Sequence, residues 1–303
     1  MSVSVPRKSH ISAVEPFIGQ TPLLPVESEG AAVSAKTEWQ QLGGSVKSRP
    51  SFRIIKDAID HGHLTGGKRL LDATSGNTGI AYATIMNRLG LPLTLFVPEN
   101  ASVERKNMFR ALGVDIRYTS GQESTEGARA EAQQLAERYP DRYFYADQYS
   151  NPSNWKAHYE TTADEIWKQT EGQITHFVAG LGTTGTFTGT GRRLKELNPD
   201  IQLIALQPDT ALHGLEGWKH LESADVPLIF DHRLADRTIT VSTEDAYAAI
   251  REFALSDGII LSPSSAANLI GSRRIAAELT GGHVVTVFPD DHTKYSSVIT
   301  NIL

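Results

Sequence analysis

The chain of 303 residues contains no cysteine. Disulfides, thiolate metal sites and a cysteine nucleophile are therefore excluded, and a reducing compartment is compatible with the composition. It also lacks any block of basic residues: 29 Lys and Arg stand against 35 Asp and Glu, for a net charge of −6. The short "RRLK" run at 192–195 reads as one solvated helix face, so the electrostatic footprint of a nucleic-acid binder is missing. No apolar segment approaches a membrane span, and the basic N-terminal stretch up to Gly19 lacks the apolar run of a secretory signal, which makes the cytoplasm the expected compartment. The ten histidines show no H-E-x-x-H or comparable spacing, so no metal is expected. Nor is there a Pro/Gly/Ser tract long enough to act as a disordered linker, or an internal repeat. What remains is an ordinary globular composition, 40% hydrophobic and 21% charged, at a length that fits two lobes and small-molecule chemistry.

From residue 50 onward, short apolar runs with strand character alternate with longer stretches of helical period. Strands are expected at 68–74, 91–98, 114–119, 174–180, 201–208 and 283–289, and helices at 76–90, 102–113, 126–139, 154–170, 243–258 and 264–279. Ser102 and Thr243 read as N-caps, and Gly90, Gly113 and Gly258 as stops. Strand–helix alternation of this kind predicts an α/β fold with mostly parallel sheets, helices on both faces, and ligands at loops beyond the carboxyl ends of strands. Those loops follow Thr74, Gly180 and Pro289.

Two of the three carry chemistry. In "DATSGNTG" a strand enters a helix through Thr74, Ser75, Gly76, Asn77 and Thr78; hydroxyls and amides there suit either an ordinary helix cap or a site for a carboxylate or phosphate. "ITHFVAGLGTTGTFTGT" at 174–190 spells G-x-G-x-x-G through Gly180, Gly182 and Gly185. A dinucleotide site wants an acid at the end of the next strand, where "LIALQPD" has Gln207. The hydroxyls of Thr183, Thr184 and Thr186 beside the glycine amides suit a single terminal phosphate better. "LGGSVKSRPS" then offers Lys47 behind a double glycine. A lone lysine is an ordinary surface residue, but a lysine with a phosphate cradle and a carboxylate pocket is the equipment of pyridoxal phosphate chemistry.

"GGSVKS", "TSGNTG", "ENASVERK", "ITHFVAGLGTTGT" and "HYETTADEIW" stand in the order and spacing of the fold-type II pyridoxal-phosphate enzymes. The chain most resembles the cysteine synthase family, particularly its B isozymes, from "GQTPLL" at 19 to "KYSS" at 294. The resemblance implies a two-lobed fold like the tryptophan synthase β subunit. A smaller α/β lobe, 41–147, is then inserted in a larger cofactor-binding lobe made of 1–40 and 148–303. It implies that Lys47 holds pyridoxal 5'-phosphate through a Schiff base and removes the substrate α-proton. Gly182, Thr183, Thr184, Gly185 and Thr186 would bind the phosphate, Asn77 the ring hydroxyl and Ser264 the pyridine nitrogen. Thr74, Ser75, Asn77, Thr78 and Gln148 would hold the substrate carboxylate. Lys219, in a polar segment that also reads as solvated, aligns with a basic residue near the substrate entrance, where it would favour a phosphoserine donor.

The implied reaction is replacement of the β-substituent of O-acetylserine, or of O-phosphoserine, by a sulfur donor to give L-cysteine, in a homodimer. Another nucleophile, giving a cystathionine or diaminopropionate synthase, or plain β-elimination as in a serine dehydratase, stays open on the sequence. So does a catalytically idle homologue acting as a binding partner, against which Lys47, Asn77 and Ser264 count. A nicotinamide dehydrogenase leaves Lys47 unexplained. The chain differs from the family's usual wording at Ser48, where Asp is common, at Pro263, Ala266, Ala267 and Asn268, and at Asp290 and Asp291, whose contribution the sequence leaves undecided.

Overall fold

The computed structural model describes residues 10–302. In chain order its elements are β1 (Leu23–Val26), β2 (Ala32–Thr37), α1 (Ser48–Asp60), β3 (Arg69–Ala73), α2 (Asn77–Leu89), β4 (Leu93–Pro98), α3 (Val103–Ala111), β5 (Asp115–Thr119), α4 (Ser124–Arg138) and β6 (Tyr143–Tyr145). There follow α5 (Ser153–Ala157), a π-helical turn (His158–Thr162), α6 (Ala163–Gln169), β7 (His176–Gly180), α7 (Gly185–Leu197) and β8 (Gln202–Pro208). The chain ends with β9 (Arg237–Val241), α8 (Thr243–Asp257), α9 (Pro263–Ala277), β10 (His283–Phe288) and α10 (Ser296–Ile302).

Two sheets result. One has the order β5-β4-β3-β6 and is wholly parallel; the other has the order β1-β2-β10-β7-β8-β9 and is parallel except for the β1–β2 hairpin. Parallel strands require crossovers, and the helices supplying them cover both faces. The inner strand β4 is accordingly buried at all six positions, while the edge strand β5 is buried only at Thr119. On the larger sheet, α8 and α9 pack Phe253, Ala267 and Leu269 against Val178, Leu206 and Phe288, and the opposite face buries Ile166, Phe187 and Leu194 on Phe177, Leu203 and Val285. On the smaller sheet, Ile55, Ile80 and Phe109 meet Leu70 and Leu95 on one side, and Ala128 and Ala132 of α4 meet Leu71 and Phe96 on the other.

All six expected strands form within their windows. The helix expected over 154–170 is interrupted by the π-helical turn, and the cap expected at Thr243 sits one residue earlier: the Ser242 side chain accepts from Asp245 N. Ser102 caps α3 as expected, accepting from Arg105 N.

A buried charge network joins the two sheets' helices. Arg49, in the first turn of α1, gives Nε to Glu38 Oε2 at 2.7 Å, Nη2 to Glu38 Oε1 at 2.8 Å and Nη1 to Glu165 Oε1 of α6 at 2.6 Å. Lys36 Nζ of β2 lies 2.7 Å from Glu165 Oε2. Lys36 and Glu38 have no solvent exposure and Arg49 has 2%. Two cations and two carboxylates balance, which is what lets charges persist in an apolar interior.

Candidate active site

The carboxyl ends of β3, β7 and β10 converge on one cleft of about 620 Å³. Thr74, Ser75, Asn77, Thr78, Gln148, Gly182, Thr183, Thr184, Thr186, Lys219, Ser264 and Lys47 all line it. Gly185 alone of the sequence-derived set does not. It opens α7, and a Cβ there would stand 2.0 Å from Asn154 Oδ1, so its bare backbone is a packing requirement.

Lys47 is the last residue before α1, so the network on Arg49 fixes the helix that carries it. It is half-buried, lines the cleft, and its ammonium makes no hydrogen bond to another described residue. Burial pushes its pKa below the ordinary lysine range, opposed by the charge of Asp290. The amine is thereby drawn toward its neutral, nucleophilic form.

Helix α7 begins without a side-chain cap. Its N-cap, Thr184, is held at φ +69°, a left-handed conformation that threonine avoids, and the buried Thr184 Oγ1 has no hydrogen-bond partner among the described residues. Strain and an orphaned hydroxyl at a helix N-terminus are what an anion of several acceptor oxygens would satisfy. Gly182 is needed for a different reason: a Cβ there would stand 2.0 Å from the carbonyl oxygen of Gly217, so the loop can pass beneath the 213–218 segment only as glycine.

Helix α2 likewise starts, at Gly76, with no side-chain cap. The ordinary-cap reading of "TSGNTG" therefore fails; Thr74 Oγ1 instead accepts from Gly76 N at 3.1 Å and shapes the turn itself. Thr78 Oγ1 donates to Gln148 Oε1 at 2.6 Å, which joins this loop to the end of β6, where Asp147 has φ +41°. Asn77 donates Nδ2 to Asp290 Oδ2 at 2.7 Å, and its Oδ1 is buried without a partner. Ser264, 4% exposed, lies in the first turn of α9, whose N-cap Ser262 stands 3.3 Å away, Oγ to Oγ.

The positions that departed from the family wording now have local explanations. Pro263 is the first residue of α9, where a missing N–H costs nothing. Ala266 and Ala267 are completely buried. Asn268 accepts from Gly180 N at 2.9 Å and donates to Val287 O at 2.7 Å, tying two strand ends at the cleft floor. Ser48 is completely buried beside Gly43, where a Cβ would fall 2.8 Å from its hydroxyl. Gln207 accepts from Leu221 N at 3.1 Å, a structural role in place of a ribose acid.

Lys219 is not solvated: its side chain is 14% exposed, pairs with Glu126 Oε1 of α4 at 2.9 Å and lies 5.2 Å from the centroid of the Tyr149 ring. Arg105 and Glu216, both lining the cleft, form a further ion pair. Sequence reasoning missed Arg105, Tyr149, Glu216, Trp218 and Tyr295, all of which line the cleft. The "HGLEGW" segment that places two of them has no strand or helix period to announce it.

With that geometry in hand, comparison with known proteins is decisive. The family model described as pyridoxal-phosphate dependent enzyme matches residues 14–290. The chain is a pyridoxal-phosphate dependent enzyme of the cysteine synthase type. Cysteine synthase of Aquifex aeolicus is 48% identical over 290 residues, covering 92% of this chain and 89% of that protein. Cysteine synthase B of Salmonella typhimurium is 36% identical over 293 residues, covering 95% of each. The crystal structure of a cysteine synthase from Entamoeba histolytica superposes with a TM-score of 0.90 at 31% identity, over all of this chain and 93% of that one. The expected two-sheet fold and cofactor are thus those of this enzyme family. The cleft fits the cofactor on its own evidence: an unpartnered lysine, an orphaned threonine hydroxyl at an uncapped helix start, an orphaned asparagine oxygen and a cleft-facing serine.

Proposed function

We propose that this enzyme replaces the acetoxy group of O-acetyl-L-serine with a sulfur nucleophile, breaking the Cβ–O bond, releasing acetate and forming the Cβ–S bond of L-cysteine, with Lys47 as the residue that holds the cofactor and moves the α-proton. The observation that carries the reading is Lys47 itself: a cleft-lining amine without a hydrogen-bond partner, pushed toward neutrality by burial and standing among two uncapped helix starts.

Pyridoxal phosphate supplies an electron sink for the bond to the substrate α-carbon. The residues do the rest. The first turn of α7 with Thr183, Thr184 and Thr186 would hold the phosphate, Asn77 the ring hydroxyl and Ser264, with a neutral hydroxyl, the pyridine nitrogen. Thr74, Ser75, Thr78 and Gln148, with the free amides that open α2, hold the substrate carboxylate; this fixes the α-proton toward Lys47 Nζ, which accepts it and later returns it. Acetate as leaving group suits the mouth of the cleft better than phosphate, because Lys219 is already engaged by Glu126.

The strand distribution supports a division into a smaller lobe, 41–147, and a larger one formed by 1–40 and 148–303, since one sheet draws only on 69–145 and the other only on 23–37, 176–208, 237–241 and 283–288. A cytoplasmic homodimer is the assembly and compartment that accompany this reading; among the described residues no helix is long and apolar enough to cross a membrane. The deciding experiment is the absorbance spectrum of the purified protein before and after O-acetylserine, with Lys47→Ala alongside. A visible cofactor band that shifts with donor, is reset by sulfide and is absent or unreactive in Lys47→Ala supports the assignment. A band that responds to donor equally in Lys47→Ala refutes it.

A further inference from the structure

We propose that Asp290 is a positioning residue of the cofactor site: it locks the orientation of the Asn77 amide. The inference rests on the assignment of Asn77 and Lys47 to the cofactor.

Asp290 follows β10 directly after the cleft-lining Pro289 and has no solvent exposure. Its Oδ2 accepts two hydrogen bonds, from Asn77 Nδ2 at 2.7 Å and from Tyr295 Oη at 2.8 Å. Its backbone oxygen accepts from Ser265 Oγ, next to Ser264, at 2.6 Å. One residue thus ties the first residue of α2, the first turn of α9 and the segment before α10 around the cleft. Its other oxygen, Oδ1, is buried with no partner, as is Asn77 Oδ1. A buried carboxylate facing an amide settles which way the amide points, because the reversed orientation would set two oxygens against each other with no proton between them. With Nδ2 held by Asp290, Asn77 keeps one N–H and an unengaged oxygen for another group.

The charge of Asp290 also opposes the effect of burial on Lys47. Tyr295 keeps its proton and remains a donor to the carboxylate, since burial, and then Asp290, push its phenol well above the ordinary range. The Arg105 guanidinium lies 5.0 Å from the Tyr295 ring centroid and pairs with Glu216 at the cleft mouth, so the polar chain from Asn77 reaches the entrance without an unpaired cation.

The test uses the enzyme stripped of cofactor and titrated with pyridoxal phosphate, reading its Kd by fluorescence and the ratio of the long- to short-wavelength absorption bands; neither depends on turnover. Asp290→Asn, which is near-isosteric, and Asp290→Ser, which removes the carboxylate without adding an amide, are run in parallel so that poor folding of one leaves the other. Both are expected to weaken binding about tenfold, the size of a lost charged hydrogen bond, and to change the band ratio. Asn77→Ala should weaken binding as well, and the double variant Asn77→Ala/Asp290→Asn no more than about threefold beyond the worse single one, because the two act through one contact. Tyr295→Phe, which leaves the Asn77 contact in place, should change Kd less than about threefold. If both Asp290 variants keep a wild-type Kd and band ratio while Asn77→Ala weakens binding, the proposal is overturned. If Asn77→Ala and Lys47→Ala are also without effect, the assignment of the cofactor site falls instead.

Discussion

Replacing Glu165 by Gln should cost about 3 kcal/mol at neutral pH, and the cost should shrink in acid. Glu165 closes a network of two cations and two carboxylates, and Glu165→Gln leaves Lys36 and Arg49 facing Glu38 alone. The magnitude follows from the carboxyl itself. Burial alone would raise its pKa, but the hydrogen bonds and charge of Arg49, with Lys36, bring it from an ordinary 4.5 down to about 2. At 1.36 kcal/mol per pH unit, that difference corresponds to about 3 kcal/mol of stability. The side chain is 9% exposed, so solvent screening removes little of it. Because the folded-state pKa is the depressed one, the contribution is complete above pH 4.5 and is lost as the pH falls from 4.5 toward about 2. Urea unfolding of wild type and Glu165→Gln, followed by circular dichroism from pH 7 to pH 3, should show a gap of about 3 kcal/mol that narrows to less than about half by pH 3. A gap below about 1 kcal/mol, or one that stays constant across that range, would refute the charge-balance argument.

Two other expectations concern the cleft. Gly182→Ala places a Cβ 2.0 Å from the Gly217 carbonyl and must push the 213–218 segment off the phosphate loop; cofactor affinity should fall more than about tenfold, measured by fluorescence titration, against a penalty of about 1–3 kcal/mol for such overpacking. Glu126→Gln takes away the carboxylate that engages Lys219 at 2.9 Å; use of O-phosphoserine relative to O-acetylserine should rise about three- to tenfold, as expected when a lysine gains freedom to meet a phosphate. An unchanged donor ratio in paired steady-state assays would show that Lys219 does not face the leaving group.

Much of the fold was legible because its signals are local. The inner strands among the six are largely apolar runs with helical period between them, as burial on both faces of a parallel sheet demands, while β5, at a sheet edge, mixes polar and apolar positions. The missed elements lack it. β6 is three residues long, β1 contains Pro25, and the edge strand β9 alternates polar positions toward solvent. Helix α1 is the instructive omission: Phe52, Ile54, Ile55 and Ala58 give it a buried stripe, but Pro50 in its first turn and the double glycine before it drew the reading toward a loop. Within the site, residues on strand-to-helix turns could be found from hydroxyls and glycines beside a strand. Arg105 and Tyr295 could not, because Arg105 sits on a helix whose pattern shows only that it is amphipathic and Tyr295 lies in the short segment before α10. Asp290 stood in the sequence as one of two adjacent acids; only the approach of Asn77 and Tyr295 to one of its oxygens separates it from Asp291.

Strain and buried charge meet at Lys47 in a way that explains why both are tolerated. On the proposed assignment Lys47 bonds to the cofactor and so is not held by hydrogen bonds of its own; its position is fixed from elsewhere. Arg49, two residues along, does this through Glu38 beside one sheet and Glu165 on a helix that follows the π-helical turn. That same turn brings His158 Nε2 to 3.3 Å from Thr186 Oγ1 in the phosphate loop. The π turn, the non-glycine left-handed Thr184 and the sealed ion network are each unfavourable alone. Together they set Lys47, the Gly182–Thr186 loop and the helix between them in one frame, which on the proposed assignment holds the amine in place independently of the loop that opens α2.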